Sequence, residues 1–389
     1  MNNRNNTLIQ IYKGSSKNIF KSTSQSQTLL FEFTDYYSVF DYGIMPDPIA
    51  NKGLAQTILT NYLFNSLNRS DFYQELKNQS IFNSLDQKFK DKLFTSSLFN
   101  YLCQKPSTIP ISHSLGLNQG NALINETKVN VHNQNNLYLE VYEAEKFTTT
   151  PQKFYNHTVY FYQTPNPHKY TLLPLEIVFR FKLDPQSSFL KRCQNDQNYA
   201  QQFGLNDPSF LNPLPYPIIE FFSKLEPKDR LLTYSEAALM TKLNHEEFRL
   251  LIEFCTIMAM SLYYIFHKRN INLIDGKFEI IKVNQKENPS NDYQPSFILA
   301  DSIGPDELRL EYNNNALSKE VLRKFYRKTQ WYKSLQDPTI NLKPPNLPLE
   351  LKQIIDNLYG TLVNHILNQN IFPDQLNINQ LVDKLKEFQ

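Results

Sequence analysis

The chain has 389 residues, of which 41% are hydrophobic and 13% aromatic, so it can bury a large core, and we expect two lobes rather than one. Lysine and arginine (40) nearly balance aspartate and glutamate (38), which argues against nucleic acid or a membrane surface as the main partner. Its three cysteines, Cys103, Cys193 and Cys255, lie far apart, which excludes a disulfide framework and a cysteine-based zinc site and indicates a cytoplasmic protein.

The first half of the chain is predicted to be rich in strands. A helical spacing of apolar residues occurs at 54–63. The polar, weakly periodic region 68–136 is predicted to carry short helices and a long loop at 104–136. Six runs have the composition of strands, the first three of them typical of an antiparallel meander: 8–11, 18–20, 28–33, 137–143, 158–163 and 175–183.

The second half is predicted to be mainly helical. Thr233 with Glu236, and Asn244 with Glu247, have the spacing of capping boxes, and the second pair begins a helix predicted to run to about Lys268. The apolar stretch within this helix, 254–266, is shorter than a bilayer requires, and residues 1–7 lack the apolar core of a signal peptide, so we expect no membrane segment. Further helices are predicted near 318–327, 349–367 and 375–388.

Charged residues alternate along a strand predicted at 273–279. Alternation places Asp275, Lys277 and Glu279 on one face, and Asp301 ends the next apolar run. Two carboxylates and a cation are groups with which proteins hold Mg²⁺ and the phosphates it bridges. Taken alone, the pattern is equally compatible with a solvated strand face and an aspartate in a turn.

Several short motifs follow one another along the chain in an informative order. They are YKGSSK at 12–17, FEFTDYYSVFD at 31–41 with NKG at 51–53, PLEIVFR at 174–180 with SFLKR at 188–192, PIIEFFSK at 217–224, DGKFE at 275–279 and LADSIGPDELRL at 299–310. In order and residue type they resemble the SAICAR synthetase family, purine-pathway enzymes that use ATP to join aspartate to a phosphoribosyl-aminoimidazole carboxylate. The resemblance covers most of residues 8–63 and 170–370.

The resemblance implies an α+β fold of two lobes. Residues 1–173 would form an antiparallel-sheet lobe that binds ATP and carries an insertion at about 64–168. Residues 174–389 would form a mixed lobe with long helices that binds the substrate and Mg²⁺. The implied partners are small-molecule substrates, and the insertion would cover the cleft or form a contact between subunits of a homo-oligomer.

The resemblance also implies roles for individual residues. ATP would be bound by five of them: Gly14, Lys17, Lys224, Glu279 and Asp301. Glu279 and Asp301 would in addition ligate Mg²⁺. Arg180, Ser188 and Arg309 would grip the substrate phosphate, a role that suits arginine because its fork donates to phosphate with two N–H groups. The catalytic set would be Lys277, which offsets phosphate charge, and Asp275 and Asp306, which orient an amine or else act as structural caps.

Four positions depart from the family pattern. Ser15 stands where a first phosphate-loop lysine is usual, and Ser302 replaces the acidic residue that usually follows the metal-site aspartate. Arg327 and Tyr332 replace an acidic residue and an arginine, although Lys328 matches. The ATP site and the amine site are therefore expected to differ from the family pattern.

The expected reaction transfers the γ-phosphoryl group of ATP to a carboxylate, and an amine then attacks the resulting acyl phosphate to give an amide, ADP and phosphate. Three alternatives stay open. One is an ATP-dependent amide synthetase with another carboxylate or amine, the second is a kinase-like phosphotransferase, and the third is a non-catalytic relative.

Overall fold

The structure is a computed structural model that describes most of the chain, namely residues 7–23, 27–119, 123–124, 137–166, 169–184, 187–196, 198–207, 213–284, 296–335 and 340–388. The strands are β1 (Leu8–Lys13), β2 (Lys17–Ser22), β3 (Thr28–Phe33), β4 (Ser114–Asn118), β5 (Leu123–Ile124), β6 (Tyr138–Tyr142), β7 (Glu145–Lys146), β8 (Thr148–Phe154), β9 (His157–Gln163), β10 (Tyr170–Leu172), β11 (Leu175–Arg180), β12 (Ile218–Ser223), β13 (Leu231–Leu232), β14 (Asn272–Val283), β15 (Phe297–Ala300), β16 (Leu308–Tyr312) and β17 (Asn315–Ala316). The helices are α1 (Lys52–Leu67), α2 (Ser70–Leu76), α3 (Gln87–Phe94), α4 (Ser97–Gln104), α5 (Ser188–Asn195), α6 (Tyr234–Thr241), α7 (His245–His267), α8 (Glu320–Arg327), α9 (Gln330–Ser334), α10 (Leu349–Leu367) and α11 (Ile378–Leu385).

The first sheet has the strand order β1-β2-β3-β6-β4-β5. Its first three strands form the predicted antiparallel meander. The predicted long loop at 104–136 is wrong at β4 and at β5, because these strands pair with each other and β4 also pairs with β6 and buries Leu117 within the sheet. The five residues of β4, SLGLN, do alternate, but the run is short and lies in a polar, weakly periodic region. Residues 120–122 and 125–136 of that loop, and the N-terminal residues 1–6, lie outside the described residues.

The second sheet is built around β14, whose twelve residues allow four other strands to pair with it. Its first half pairs with β16 and β11, and its second half pairs with β15 and β10, all antiparallel. The predicted strand at 273–279 is therefore confirmed and is longer than predicted. Because four strands meet on β14, its side chains lie at the centre of the sheet.

The hairpin of β8 and β9 belongs to neither large sheet and forms a two-stranded sheet of its own. The predicted strand at 158–163 is thus present as β9. Tyr162, near the end of β9, donates its hydroxyl hydrogen to the backbone oxygen of Lys224 at 3.1 Å. The hairpin is tied in this way to the segment that follows β12.

Both predicted capping boxes are present at the starts of α6 and α7. The apolar stretch 254–266 lies within α7, whose 23 residues are long and apolar enough to cross a membrane by length and composition alone, so length by itself does not decide the question. Yet 72% of an apolar stretch of 18 residues in α7 is buried inside the protein, as expected of a core helix. The predicted helices near 318–327, 349–367 and 375–388 correspond to α8, α10 and α11.

One hydrophobic core extends through both large sheets and the helices that cover them. Phe31 of β3, Leu63 of α1, Phe179 of β11, Met258 of α7 and Leu358 of α10 are all fully or almost fully buried in this cluster. The predicted α+β class is confirmed. A division of the chain between 173 and 174 stays a prediction.

Candidate functional site

Two cavities lie side by side where β14 meets the β1–β2 hairpin and the end of β15. The larger one has a volume of about 350 Å³ and the smaller one about 250 Å³. Four residues line both cavities: Ser16, Lys224, Glu279 and Asp301. Three of these four belong to the predicted ATP-binding set.

The larger cavity combines an apolar wall with the turn between β1 and β2. The wall includes Ile19, Phe147 and Leu172. The turn is closed by a hydrogen bond from the Gly14 amide to the Lys17 carbonyl oxygen at 2.9 Å. A Cβ atom on Gly14 would lie 2.7 Å from that same oxygen, so a glycine is required for this turn to form.

Two ion pairs stand at the junction of the cavities. Lys17 pairs with Asp301, and Lys224 pairs with Glu279. Burial raises the pKa of Glu279, and the nearby charge of Asp301 adds to this effect. Burial also acts to raise the pKa of Asp301, but Lys17 and Lys224 outweigh it and hold that pKa below its usual range. Two carboxylates are thus brought together at this junction, each paired with one lysine.

Glu279 and Asp301 together fit a hard divalent cation, because both offer carboxylate oxygens. Within the residues that the structure describes, no group of three or more His, Cys, Asp or Glu side chains could hold a metal ion. Mg²⁺ does not require such a group, because one or two carboxylates commonly hold it together with water and substrate phosphates. Glu279 and Asp301 supply two carboxylates of this kind in one cavity.

Asp301 has a left-handed backbone conformation, with φ of 59°. This conformation costs free energy in a residue other than glycine and needs support from its surroundings. The support comes from His113, whose Nε2 lies 3.1 Å from the Asp301 carbonyl oxygen. Burial lowers the pKa of His113 to about 4, so its ring is neutral at pH 7 and Nε2 can be the N–H that donates to this oxygen. Sequence reasoning missed His113 because it lies far from every motif.

Lys277 and Asp306 both line the smaller cavity. The ammonium of Lys277 pairs with Glu176 at 2.9 Å. Asp306 pairs with the fully buried Lys52 at 2.8 Å and accepts the hydroxyl hydrogen of Tyr359 at 2.6 Å. Burial acts to raise the pKa of Asp306, but its cationic neighbours outweigh it and lower that pKa. Lys52 stands in one of the motifs but had no predicted role.

The predicted phosphate grip forms a cluster around Asp275. Arg180 and Arg309 contact the same Asp275 oxygen at 3.0 and 3.1 Å, and Arg180 donates to the Ser188 hydroxyl at 3.3 Å. The remaining Arg180 donor, Nε, contacts Glu220 at 2.7 Å. None of these five residues lines either cavity. Glu220 was not predicted, although a buried arginine in an apolar strand needs such a partner.

The smaller cavity contains two further ionisable groups, Glu307 and Lys319, which sequence reasoning missed. Glu307 accepts hydrogen bonds from the Ser302 hydroxyl at 3.0 Å and the Gln56 amide at 2.7 Å. Burial, together with Asp306 and Asp301, raises the pKa of Glu307 to about 7. Burial lowers the pKa of Lys319. Glu307 lies inside the motif at 299–310, directly after Asp306, so the sequence did contain a signal.

The four departures lie in different surroundings. Ser15 lines the larger cavity and Ser302 the smaller one. Arg327 instead pairs with Glu320 at 2.6 Å, and Tyr332 packs against Phe40, so neither lines a cavity.

The profile of the SAICAR synthetase family matches residues 10–113 and 121–338. The chain belongs to the SAICAR synthetase family. A protein of Archaeoglobus fulgidus named as a putative phosphoribosylaminoimidazole-succinocarboxamide synthase is 28% identical over 366 residues, covering 92% of this chain and 93% of the relative. The synthase of Thermoplasma acidophilum is 28% identical over 211 residues, covering 51% of this chain and 68% of the relative. The solved SAICAR synthase of Saccharomyces cerevisiae superposes with a TM-score of 0.51 at 16% identity, covering 93% of this chain and 95% of that one.

Family membership confirms the resemblance seen in the motifs and the α+β fold. It makes the protein a ligase of the class that couples ATP to amide formation in purine biosynthesis.

Proposed function

We propose that this protein joins L-aspartate to a phosphoribosyl-aminoimidazole carboxylate, giving SAICAR, ADP and phosphate. The strongest support is the junction of the two cavities, because Lys224, Glu279 and Asp301 lie between an apolar-walled cavity and a polar one. A nucleotide in the first cavity would present its phosphates to substrates in the second. The name of the Archaeoglobus fulgidus relative agrees with this reaction.

The larger cavity would hold ATP. Its apolar wall suits a nucleobase, and the turn containing Gly14 and Lys17 suits phosphates because backbone N–H groups and a cation lie close together there. Lys224 would offset phosphate charge from the opposite side of the cavity. Ser15 supplies a neutral hydroxyl in this turn, so Lys17 would carry the positive charge there.

Mg²⁺ would be held by Glu279 and Asp301, whose carboxylate oxygens are the hard donors that it prefers. When bound, the ion supplies Lewis-acid stabilisation of charge on a transferring phosphoryl group. Lys17 and Lys224 already neutralise part of the charge of these carboxylates, and they would be released to contact phosphate oxygens.

The smaller cavity would bind the reacting carboxylate and the amine. An oxygen of the carboxylate would attack the γ-phosphorus of ATP, with Lys277 offsetting the charge, and an acyl phosphate would form. The amine would then attack the acyl carbon, and phosphate would leave. Asp306, held by Lys52, would orient the amine as a fixed anion.

The cluster around Asp275 would bind the ribosyl phosphate beside this cavity. Arg180, Ser188 and Arg309 are already within contact of one another or of Asp275. A phosphate would share the two guanidinium groups with Asp275, whose place in catalysis would be to hold both arginines in position.

We place the protein in the cytoplasm, where its three thiols would stay reduced.

The decisive experiment measures ADP release by the full chain with Mg-ATP, the phosphoribosyl carboxylate and L-aspartate, leaving out each in turn. We expect release to require all three and to be lost in Glu279→Gln. Glu311→Gln serves as the matched control, because Glu311 pairs with Lys182 and lines neither cavity. An amide formed only with another amine would identify a ligase with a different substrate, as the departure from the family pattern at Ser302 would allow. A new phosphate ester would identify a kinase.

A further inference from the structure

An amine that attacks an acyl phosphate must first lose a proton. Near neutral pH an amino acid carries its amine as an ammonium ion, which has no lone pair for attack. A carboxylate beside the reacting atoms can accept that proton if no cation already neutralises it. This requirement rests on the proposed function and can be tested against the groups in the smaller cavity.

Most carboxylates of the smaller cavity are already paired with lysine. The pairs are Lys52–Asp306, Lys224–Glu279 and Lys17–Asp301. An ion pair favours the charged form of a carboxylate and so weakens it as a proton acceptor. Asp306, although predicted to act on the amine, is unsuited to take its proton.

Glu307 differs from these three carboxylates in its partners. One of its oxygens accepts a hydrogen bond from the Ser302 hydroxyl, and the other accepts one from the Gln56 amide. Among the described residues, no lysine, arginine or histidine lies within 4.0 Å of its oxygens as an ion-pair partner. Glu307 is therefore a cavity-lining carboxylate that is positioned by neutral groups.

The surrounding backbone holds Glu307 in place. Its amide donates to the Gly304 carbonyl oxygen at 3.0 Å, and its own carbonyl oxygen accepts from the Lys277 amide at 3.2 Å. A Cβ atom on Gly304 would lie 2.4 Å from Oε1 of Gln56, so the missing side chain leaves room for the amide that contacts Glu307. A fixed position is what a proton acceptor in catalysis requires.

We propose that Glu307 is the catalytic base that accepts the proton of the incoming amine. The ammonium group loses one proton to the Glu307 carboxylate, and the freed lone pair forms the C–N bond at the acyl carbon. The C–O bond to the phosphoryl group breaks, and the leaving phosphate takes the second proton of the amine. The products are an amide, inorganic phosphate and a protonated Glu307, which returns its proton to water.

The charges around Glu307 agree with this role. Burial, Asp306 and Asp301 favour its protonated form, whereas Lys277 of β14 and the Ser302 hydroxyl favour its charged form, and the pKa lies at about 7. Lys319, before α8, lines the same cavity. A base is most effective when its pKa lies near the working pH.

The test compares Glu307→Gln with the unchanged protein in two reactions, using Mg-ATP and the phosphoribosyl carboxylate. The first uses L-aspartate as the amine. The second uses hydroxylamine, which is largely unprotonated at neutral pH and traps an acyl phosphate as a hydroxamate without a base. We expect amide formation by Glu307→Gln to fall about 100-fold or more, in the range of general-base catalysis, and hydroxamate formation to stay within about twofold.

A second readout is the pH profile. In the unchanged protein the aspartate-dependent rate should fall as the pH drops below about 7, since Glu307 becomes protonated. Glu307→Gln should lack this inflection, and the control Glu311→Gln should keep both the rate and the inflection.

Equal losses in both reactions, or no loss in either, would overturn the role of Glu307 as a base. Equal losses would mean that the residue supports the structure or the phosphoryl transfer. If the unchanged protein released ADP but gave no hydroxamate, the acyl phosphate and the base would fall together. If it released no ADP at all, the proposed function itself would fail.

Discussion

β14 carries charged side chains on both sides of its midpoint, but among them only Lys277 and Glu279 border a cavity, so we call the part around Asp275 the closed end and the part with these two residues the open end. At the closed end, Asp275 is enclosed by Arg180 and Arg309, and these arginines also contact Glu220 and Glu320 respectively. At the open end, Lys277 and Glu279 face the two cavities. The alternation of charged side chains along β14 thus contributes to both a closed network of ion pairs and an open site. The two surroundings differ because different strands neighbour the two parts of β14.

The largest expected effect on folding belongs to the closed end. Replacing Arg180 by Met leaves Glu220 and Asp275 buried beside fewer cations, and we expect the free energy of unfolding to fall by about 3–5 kcal/mol. Urea unfolding monitored by circular dichroism measures this change. Arg249→Met is the control, because Arg249 is half-exposed on α7 and should change stability by less than about 1 kcal/mol. Similar losses of unfolding free energy in Arg180→Met and Arg249→Met would show that the ion network around Asp275 stabilises the fold no more than an exposed ion pair does.

The open end should respond in binding rather than in folding. Lys224→Met removes a cation from the junction of the cavities, and we expect KM for ATP to rise about 10- to 100-fold. Lys277→Met should instead raise KM for the carboxylate substrate, since Lys277 lines only the smaller cavity. Lys182→Met, which loses the pair with Glu311, should change neither value. A rise in KM for ATP in both site variants would mean that the cavities do not divide the substrates.

The smallest effect should appear at Asp306. Its pKa is lowered in the folded protein, so its ion pair and hydrogen bond stabilise the fold above its unfolded pKa, and this contribution is lost as the pH falls through the folded value. Tyr359→Phe removes one hydrogen bond to this carboxylate and should cost about 1 kcal/mol at pH 7, with a smaller cost in acid. Thermal unfolding from pH 7 downward measures the difference.

Tyr312→Phe is the matched control for this pH dependence, because the Tyr312 hydroxyl donates to the neutral side chain of Asn379. Its cost should not vary with pH. A cost of Tyr359→Phe that already falls well above about pH 4, the ordinary pKa of an aspartate, would show that Asp306 is not held in its charged form.

The sequence predicted those parts of the protein that depend on nearby residues. The capping boxes at Thr233 and Asn244 are local, and so is the alternation in β14, and the structure contains all of them. The short strand β4 was missed although its five residues alternate, because so short a run in a polar region resembles a loop and its pairing with the distant β6 is not visible locally. His113 and Gln56 were missed for the same reason, since their partners, Asp301 and Glu307, lie far away along the chain.

The pairing of β14 has a consequence for the order of folding. Its partner β11 ends at Arg180, about ninety residues before β14 begins, and its partner β16 follows it. During synthesis the second sheet therefore cannot close until β14 has left the ribosome, and pairings this distant in sequence slow folding. Asp301 takes its place later still, so both cavities are completed only after most of the chain has been made.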